Sequence, residues 1–291
     1  MSAKNNPEWI LRAIEVSVAT LLVATLFTTP SSSQSSGDLV SILAGLADRT
    51  QQYYDRFISI ICTETVTTQH LRFNLTPVGQ PRITVYELSV ARDAHQKGAT
   101  DFRVERTLQS VNGRPARKNQ RPECTDPKTG TPDPLGFLLA KNQSGYRFSI
   151  AEAKGGPAGA YALDFIESPP ERVRVRWEGS CFEAEGGGQQ GRVWYDPNSY
   201  DVIQVDLRLS KPFLVPRPTG DLGIQPAIRV ERSEMTLRFS RVEFHQPEES
   251  VLLPDSIDTL HVLRGVPSLR IHQKLANYRR FLTKAEIRSG L

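Results

Sequence analysis

The sequence contains none of the short motifs that mark the common catalytic sites. It has no Gly-x-Ser-x-Gly element of a hydrolase, and its glycine run, residues 186–188, lacks the Lys and the following helix that a phosphate-binding loop needs. We interpret this run as a flexible turn. The residues therefore predict no catalytic site, and a hydrolase with an unrecognised site is the least favoured alternative.

Histidine is scarce, and its spacing is not that of a metal site. The five histidines form no His-Glu-x-x-His element, no pair spaced with carboxylates and no cluster with cysteine. They are His70, His95, His245, His261 and His272. His261 and His272 could become cross-strand neighbours, but histidines on the wet face of a strand are ordinary. We expect neither a metal nor a cofactor.

The amino-terminal apolar run is too short to cross a bilayer comfortably, since a membrane helix needs about 20 apolar residues. This run, residues 16–27, follows Lys4 and Arg12 and precedes a Pro/Ser-rich stretch at residues 28–36. Such an order is typical of a secretory signal. We therefore expect residues 1–36 to be a signal peptide with a Ser-rich linker, and the protein to be exported to the periplasm or the extracellular space.

An uncleaved signal that anchors the protein in the inner membrane is the alternative. Trp9 flanks the apolar run, and no clean Ala-x-Ala cleavage site is present. No Cys directly follows the run, so a lipid cannot be attached to a new amino-terminal Cys. Residues 37–291 show no interior linker or repeat and predict one domain, which after cleavage would be peripheral to the membrane at most.

An excess of charge of one sign is also missing. The chain has 36 basic and 32 acidic residues, a net charge of +4, and its first 36 residues hold two of each sign. Two local basic features are a loop with Arg114, Arg117, Lys118 and Arg121, and a strand face with Arg172, Arg174 and Arg176. Either could receive lipid headgroups or an acidic partner, although a solvated face is the usual explanation. We expect no nucleic acid as partner.

Cysteine is rare, and in an exported chain three cysteines meet an oxidant more often than a metal. Spacing alone leaves three pairings open. Cys124 lies in a Pro-rich loop and Cys181 beside a Gly-rich turn, whereas Cys62 lies in an apolar segment at residues 58–66. A buried Cys is usually a small hydrophobe. We expect a disulfide between Cys124 and Cys181.

Alternation with a period of two is what the sequence does contain. In residues 191–209 a tight turn is followed by Ile203, Val205, Leu207 and Leu209, each separated from the next by a polar residue. This is the pattern of a sheet with one buried face. The segment predicts a hairpin that sets the architecture.

The other predicted elements are mostly strands. A helix is predicted at residues 38–57, with Asp38 as its N-cap, and a short apolar helix at residues 134–141. Further strands are predicted at residues 58–73, 82–92, 102–111, 146–152, 160–166, 171–177, 227–244, 256–263 and 269–278. Asn112-Gly113 is a strong turn signal. A change in the parity of apolar residues predicts a bulge near Ser240 and Arg241.

These elements predict the fold class. About ten strands with two helices, and no repeated alternation of strand and helix, indicate one mainly β (α+β) domain. A sheet of this size must curl or close. We expect a large curved antiparallel sheet, a half-barrel, with an amino-terminal helix packed on the sheet and a short inner helix at its concave face.

Several segments resemble known exported proteins. The Gly-x-Val-Trp-Tyr-Asp-Pro turn at residues 191–197 and the strand at residues 202–209 look like the half-barrel of the periplasmic lipoprotein carriers, the LolA-like proteins. Further segments are similar to a group of uncharacterised exported bacterial proteins, namely residues 111–115, 124–127, 191–207, 253–258 and 277–281. The second likeness brings no known activity. The chain is also longer than a typical carrier.

The carrier resemblance implies non-enzymatic binding or carriage of a lipid, lipoprotein or other amphiphile in the bacterial cell envelope. An acyl chain would lie in an apolar trough on the concave face, with residues 137–139 as its plug. The ligand-binding residues that we expect are Phe137, Leu138, Leu139, Val205, Leu207 and Trp177. A filled core would present the same residues. The alternative function is an envelope protein-interaction or sensing module that acts through edge strands and the basic loop.

Overall fold

The computed structural model describes residues 36–56, 59–92, 102–117, 120, 123–126, 135–179, 181–217, 227–245 and 248–280. Nearly all of the expected signal peptide and linker lies outside these ranges, as do Lys118 and Arg121. The boundaries of the expected domain stay predictions. Within the described ranges, no helix combines the length and the apolar character needed to cross a membrane.

Strands make up most of the described residues. In chain order the elements are α1 (Ser36–Arg56), β1 (Ile60–Leu71), β2 (Arg82–Arg92), β3 (Phe102–Val111), β4 (Arg114–Pro115), β5 (Tyr146–Ala151), β6 (Tyr161–Glu167), β7 (Arg174–Glu178), β8 (Cys181–Glu185), β9 (Gln189–Tyr195), β10 (Val202–Leu209), β11 (Phe213–Val215), β12 (Ile228–His245), β13 (Glu248–Arg264) and β14 (Ser268–Arg280). Two single-turn 3-10 helices, Gly136–Leu138 and Gln143–Gly145, precede β5.

Twelve strands form one antiparallel sheet. Its order is β4-β3-β2-β1-β14-β13-β12-β10-β9-β6-β5, and β11 pairs with β12 beside this path. In this part of the chain β4 and β5 are terminal strands, so the sheet is open. The predicted fold class, a mainly β half-barrel sheet with an amino-terminal helix and a short inner helix, is confirmed.

The predicted strand at residues 171–177 belongs to a separate structure. It becomes β7, which among the described strands pairs with β8 in a two-stranded ribbon. Val175 and Trp177 pack with Phe182 against a small cluster around Val215 and Ile228. The alternation within β7 was sufficient to predict a strand, but it carries no information about which sheet the strand joins.

The helix α1 covers one face of the sheet, which we call the inner face. Leu46 and Tyr54 are buried in the main apolar cluster, and Leu39, Ile42 and Leu43 pack beside it. These residues recur at the spacing of one helical stripe. The helix begins two residues earlier than predicted, so Asp38 lies in its first turn rather than at the cap. Phe57, the last predicted stripe residue, lies outside the described ranges.

Two predicted connections have different outcomes. The Asn112-Gly113 turn joins β3 to β4, and both residues have positive φ angles, 47° and 75°, as a tight hairpin turn requires. The short helix predicted at residues 134–141 is smaller than expected, because only Gly136–Leu138 forms a 3-10 turn. Pro134 lies outside the described residues.

Two register shifts correct the predicted faces. The pairing of β10 with β9 shifts between Val202 and Gln204, so Val202 joins Val205 in the main cluster while Ile203 packs against Trp194 on the other face. The bulge expected near Ser240 and Arg241 is also displaced. The pairing of β12 with β13 shifts between Arg238 and Phe239, and the additional residue lies on β13, because parity along one strand cannot tell which strand of a pair carries the extra residue.

Candidate ligand-binding site

A short loop segment fills part of the inner face. We call residues 135–139 the plug, and its centre is the 3-10 turn. The Leu138 N–H donates to the Leu135 carbonyl at 2.9 Å, and the Leu139 N–H donates to the Gly136 carbonyl at 3.2 Å. All five residues are buried, and Leu138 is completely inaccessible. The plug therefore adds apolar side chains to the core although it belongs to neither a strand nor a long helix.

Phe137 of the plug enters an aromatic pocket on β5 and β6. Its ring centroid lies 4.2 Å from that of Phe165, 5.5 Å from that of Tyr146 and 6.5 Å from that of Phe148. Aromatic pairs at such distances add specific contacts to simple area burial. The pocket is therefore shaped for a flat or narrow apolar group.

A few amide groups hold the plug in place. The Gln143 side-chain N–H₂ donates to the Leu138 carbonyl at 2.8 Å and to the Leu43 carbonyl of α1 at 2.9 Å. The Asn142 side chain donates to the Gly136 carbonyl at 2.7 Å. These are neutral hydrogen bonds, each worth about 1 kcal/mol net. The plug and α1 are thus linked through one amide.

The structure brings most of the expected ligand-binding residues together. Phe137, Leu138, Leu139 and Val205 are buried in the main cluster, and Leu207 packs against it. Trp177 is not with them. It lies in the separate ribbon, where its indole N–H donates to the Pro216 carbonyl at 2.9 Å. Five of the six residues therefore share one core, and Trp177 belongs to another cluster.

Among the described residues, a small cavity lies beside α1. A cavity of about 20 Å³ borders Thr50, Tyr53, Leu135, Val202 and Phe239, which is room for about one water molecule. The hydroxyl of Thr50 is buried without a hydrogen-bond partner. An acyl chain could occupy this part of the inner face only if the plug or α1 moved.

A carboxylate fastens α1 to the hairpin of β9 and β10. Asp201, only 4% exposed, accepts hydrogen bonds from Arg49 of α1 and from Arg241 of β12. Gly45 of α1 lies against the ring of Tyr200, so close that a Cβ atom there would come within 2.8 Å of ring carbons. One buried acid and one close contact between the helix backbone and a tyrosine ring therefore hold α1 in place.

The opposite part of the inner face is charged. Glu64 on β1 is fully buried and accepts hydrogen bonds from Arg106 on β3, at 2.6 and 3.3 Å, and from the Gln273 amide on β14, at 2.8 Å. Sequence reasoning missed this network. The alternation along β1 could have revealed it. Ile60, Cys62 and Glu64 are separated by two residues each and therefore lie on the same, buried side of the strand.

Cys62 lies next to this network. Burial and the neighbouring charge of Glu64 raise the pKa of the Cys62 thiol to about 12. A thiol with so high a pKa stays protonated and unreactive near neutral pH. Cys62 is therefore a packing residue, as its apolar strand predicted.

A disulfide-bonded loop closes the charged part. Asp126 is buried and pairs with Arg82 of β2, and the preceding Cys124 is bonded to Cys181 of β8, with Cα atoms 5.1 Å apart. The predicted pairing of Cys124 with Cys181 is confirmed. The bond ties the loop to the two-stranded ribbon.

The predicted basic surfaces are only partly described. Arg114 and Arg117 are exposed, while Lys118 and Arg121 lie outside the described residues. On β7, Arg174 lies 3.3 Å from Glu171 and Arg176 lies 2.5 Å from Glu183. These acids neutralise the arginine face of β7, as expected of a solvated surface.

The outer face of the sheet carries its own polar network beside an open groove of about 550 Å³. Asp206 accepts hydrogen bonds from the Trp194 indole and the Thr236 hydroxyl, both at 2.8 Å. Asp164 accepts two from Arg192, at 2.6 and 2.9 Å. In the described part of the chain, no three His, Cys, Asp or Glu side chains are placed to hold a metal ion.

His272 and Asp258 belong to this outer network. The His272 Nδ1 lies 2.7 Å from the Asp258 carboxylate, which also accepts from Arg238 at 2.6 Å. Burial acts to raise the pKa of Asp258, yet these two hydrogen bonds bring it below its usual value. The arrangement is a ladder of polar contacts across β12, β13 and β14, and its side chains are about half exposed.

Comparisons with known proteins give little beyond the fold. No family model matches the chain, and no curated protein matches it. A solved structure, that of a LolA superfamily protein from Nitrosomonas europaea, is similar over 84% of this chain and 96% of its own, at 8% identity and a TM-score of 0.37. At that identity and TM-score the likeness carries no argument. The relationship to the lipoprotein carriers stays a prediction.

Proposed function

We propose that the protein binds an amphiphile in the bacterial cell envelope without chemical turnover, and that an acyl chain takes the place of the plug on the inner face. The observation that supports this is the plug itself. Four buried apolar side chains, Leu135, Phe137, Leu138 and Leu139, reach the core from a loop and a single 3-10 turn. A segment of this kind can leave the sheet without unpairing a strand.

An acyl chain would replace the interactions that the plug makes. Each buried methylene is worth about 0.8 kcal/mol, and the aromatic pocket around Phe137 offers contacts to a chain as it does to a ring. The exchange breaks the two backbone hydrogen bonds within the turn and the hydrogen bonds that the side-chain amides of Asn142 and Gln143 donate. The charged part of the inner face would stay closed.

The disulfide supports the expected location. Disulfides persist in oxidising compartments such as the periplasm and the extracellular space, and the chain joins Cys124 to Cys181. We therefore propose that the protein works outside the cytoplasm, where amphiphiles pass between membranes.

Emptying the aromatic pocket tests the proposal. The full chain is expressed with export, and the purified protein is titrated with a fluorescent C18 fatty acid. We expect the wild type to bind the probe and the Phe137→Ala variant to bind it about tenfold more tightly, since the probe no longer displaces the ring. Native mass spectrometry of the untreated protein should show a retained acyl species.

Two controls keep this test interpretable. Val215→Ala removes a buried residue from the separate cluster of the ribbon and should leave probe affinity unchanged. Phe137→Leu keeps the pocket filled and guards against misfolding of the alanine variant. If the wild type and all three variants bind no probe, or bind it equally, the plug is an ordinary core segment and the proposal fails.

A second candidate is the envelope interaction module. The packed core supports it, because recognition would then use the edges of the sheet, which are formed by the terminal strands β4 and β5. An extended peptide would add to β5 at Tyr146–Ala151. Loss of partner capture on substituting Ser149 by Pro, with probe binding absent throughout, would favour this candidate.

A further inference from the structure

The tips of two neighbouring hairpins carry an exposed apolar patch. In the connection from β1 to β2, Phe73 is 76% exposed and Val78 is 41% exposed. Pro267, in the connection from β13 to β14, lines the same open groove. We call Phe73, Val78 and Pro267 the tip patch. Exposed apolar groups that are gathered in this way mark interaction surfaces.

The loop that presents Phe73 is internally bonded. The Arg72 N–H donates to the Thr76 carbonyl at 2.8 Å, and the Leu75 N–H donates to the Arg72 carbonyl at 2.9 Å. The Val78 N–H donates to the His70 carbonyl at 2.9 Å. The exposed ring is therefore held outward by a structured turn, so little conformational entropy is lost when it binds.

Cations surround the tip patch. The Arg264 guanidinium lies 4.8 Å from the centre of the Phe73 ring. Arg72 precedes Phe73 in the same connection, Arg270 lies near the start of β14, and both are exposed. Arg264 and Arg229 share one acid, Glu231, at 2.7 and 3.0 Å. Neither residues 65–86 nor residues 259–285 contain an Asp or a Glu. The surface is thus apolar at its centre and positive around it.

We propose that the tip patch docks on an anionic membrane surface, with Phe73 and Val78 at the boundary between headgroups and acyl chains and the arginines on lipid phosphates. A protein partner would need about 800 Å² from each side, which a few side chains at two tips do not offer. A bilayer needs only a small apolar anchor and adjacent cations.

Vesicle binding tests this inference separately from acyl-chain carriage. The full chain, expressed with export, is sedimented with vesicles of phosphatidylglycerol and phosphatidylcholine in equal parts, and with phosphatidylcholine alone. We expect binding to the anionic vesicles that weakens with salt. Phe73→Ser with Val78→Ser should lower it about tenfold, and so should Arg72→Glu with Arg270→Glu. Phe73→Trp should retain binding and show a blue-shifted emission.

The matched control is Leu214→Ser, which changes another exposed apolar residue, 60% accessible, on β11. It should bind as the wild type does. Equal binding by the Phe73→Ser/Val78→Ser variant and the wild type would overturn the inference, as would binding that ignores lipid charge. Failure to bind vesicles together with capture of an envelope protein at Phe73 would overturn it in favour of a protein partner.

Discussion

One part of the inner face is apolar and closed by the plug, whereas the other holds ion pairs and is closed by a disulfide-bonded loop. The plug half consists of β5, β6, β9 and β10, with Phe137 seated against Phe165. The charged half consists of β1, β2, β3 and β14, with Glu64 bonded to Arg106 and Gln273. One sheet thus buries its inner face by two different kinds of interaction.

The difference indicates which half can open. Apolar contacts are non-directional, so an acyl chain can replace a phenylalanine ring with little loss. An acyl chain cannot replace a buried ion pair in this way. Separating the pair leaves a charged group in a low-dielectric interior without its counter-charge, which is energetically costly. The charged half should therefore serve as the rigid frame, and the plug half as the part that exchanges its contents.

Breaking the ion pair should have the largest effect. Glu64→Ala removes the buried acid that Arg106 and Gln273 contact, and we expect a loss of about 3–5 kcal/mol in the free energy of unfolding. The matched control is Asp164→Ala, which breaks a partly exposed pair with Arg192 and should cost at most about 1 kcal/mol. Urea denaturation measures both, and equal losses would show that burial of the pair does not matter.

Opening the disulfide should come next. Cys124 and Cys181 are 57 residues apart, and replacing both by Ser should lower stability by about 2–4 kcal/mol, because the unfolded chain regains its freedom. Thermal unfolding with and without reductant gives the value. The reductant should not affect the double variant. If the wild type unfolds at the same temperature under both conditions, the bond does not support the charged half.

Releasing α1 should have a smaller effect. Asp201→Ala removes the buried acid that Arg49 and Arg241 share, and we expect a loss of about 2 kcal/mol together with easier entry of the fatty-acid probe. Arg241→Ala, whose side chain is half exposed, should cost less than about 1 kcal/mol. A probe affinity that stays at the wild-type value in Asp201→Ala would show that α1 does not gate the plug half.

The smallest effect concerns His261, a partly buried base outside the ion pairs. Burial lowers the pKa of His261, whose Nδ1 lies 3.0 Å from the Ser233 hydroxyl. The unfolded chain then binds a proton at higher pH than the native one, so stability falls as the pH drops below about 6.5. His261→Gln should remove up to about 1 kcal/mol of this decline. Identical stability–pH curves for both proteins would contradict the assignment.

Local patterns predicted the strands well. The bounds of β2 and β3 agree with those read from alternation, and the Asn112-Gly113 turn lies where its residue types require it. The pairing of Cys124 with Cys181 was predicted because Cys62 lies in an apolar segment and the other two cysteines lie in a loop and beside a turn. Each of these predictions used residues close to the feature in sequence, which a single sequence displays.

Features that depend on distant neighbours were harder to predict. Trp177 alternates like a residue of the main sheet but belongs to a ribbon, and Ile203 changes face because of a shift in the pairing of β10 with β9. Glu64 has the parity of a core residue, yet its partner Arg106 is 42 residues away. Strand pairing and long-range ion pairs depend on tertiary structure, which the conformational propensities of single residues do not contain.

Hydrogen exchange of the plug in the presence of oleate tests the central claim most directly. The amides of Leu138 and Leu139 are hydrogen bonded within the turn, and we predict that oleate, added below its micelle concentration, makes them exchange faster. The amides of β1 and β2 around Glu64 should keep their rates. Unchanged or slower exchange in the plug, or equal acceleration in both halves, would contradict the account.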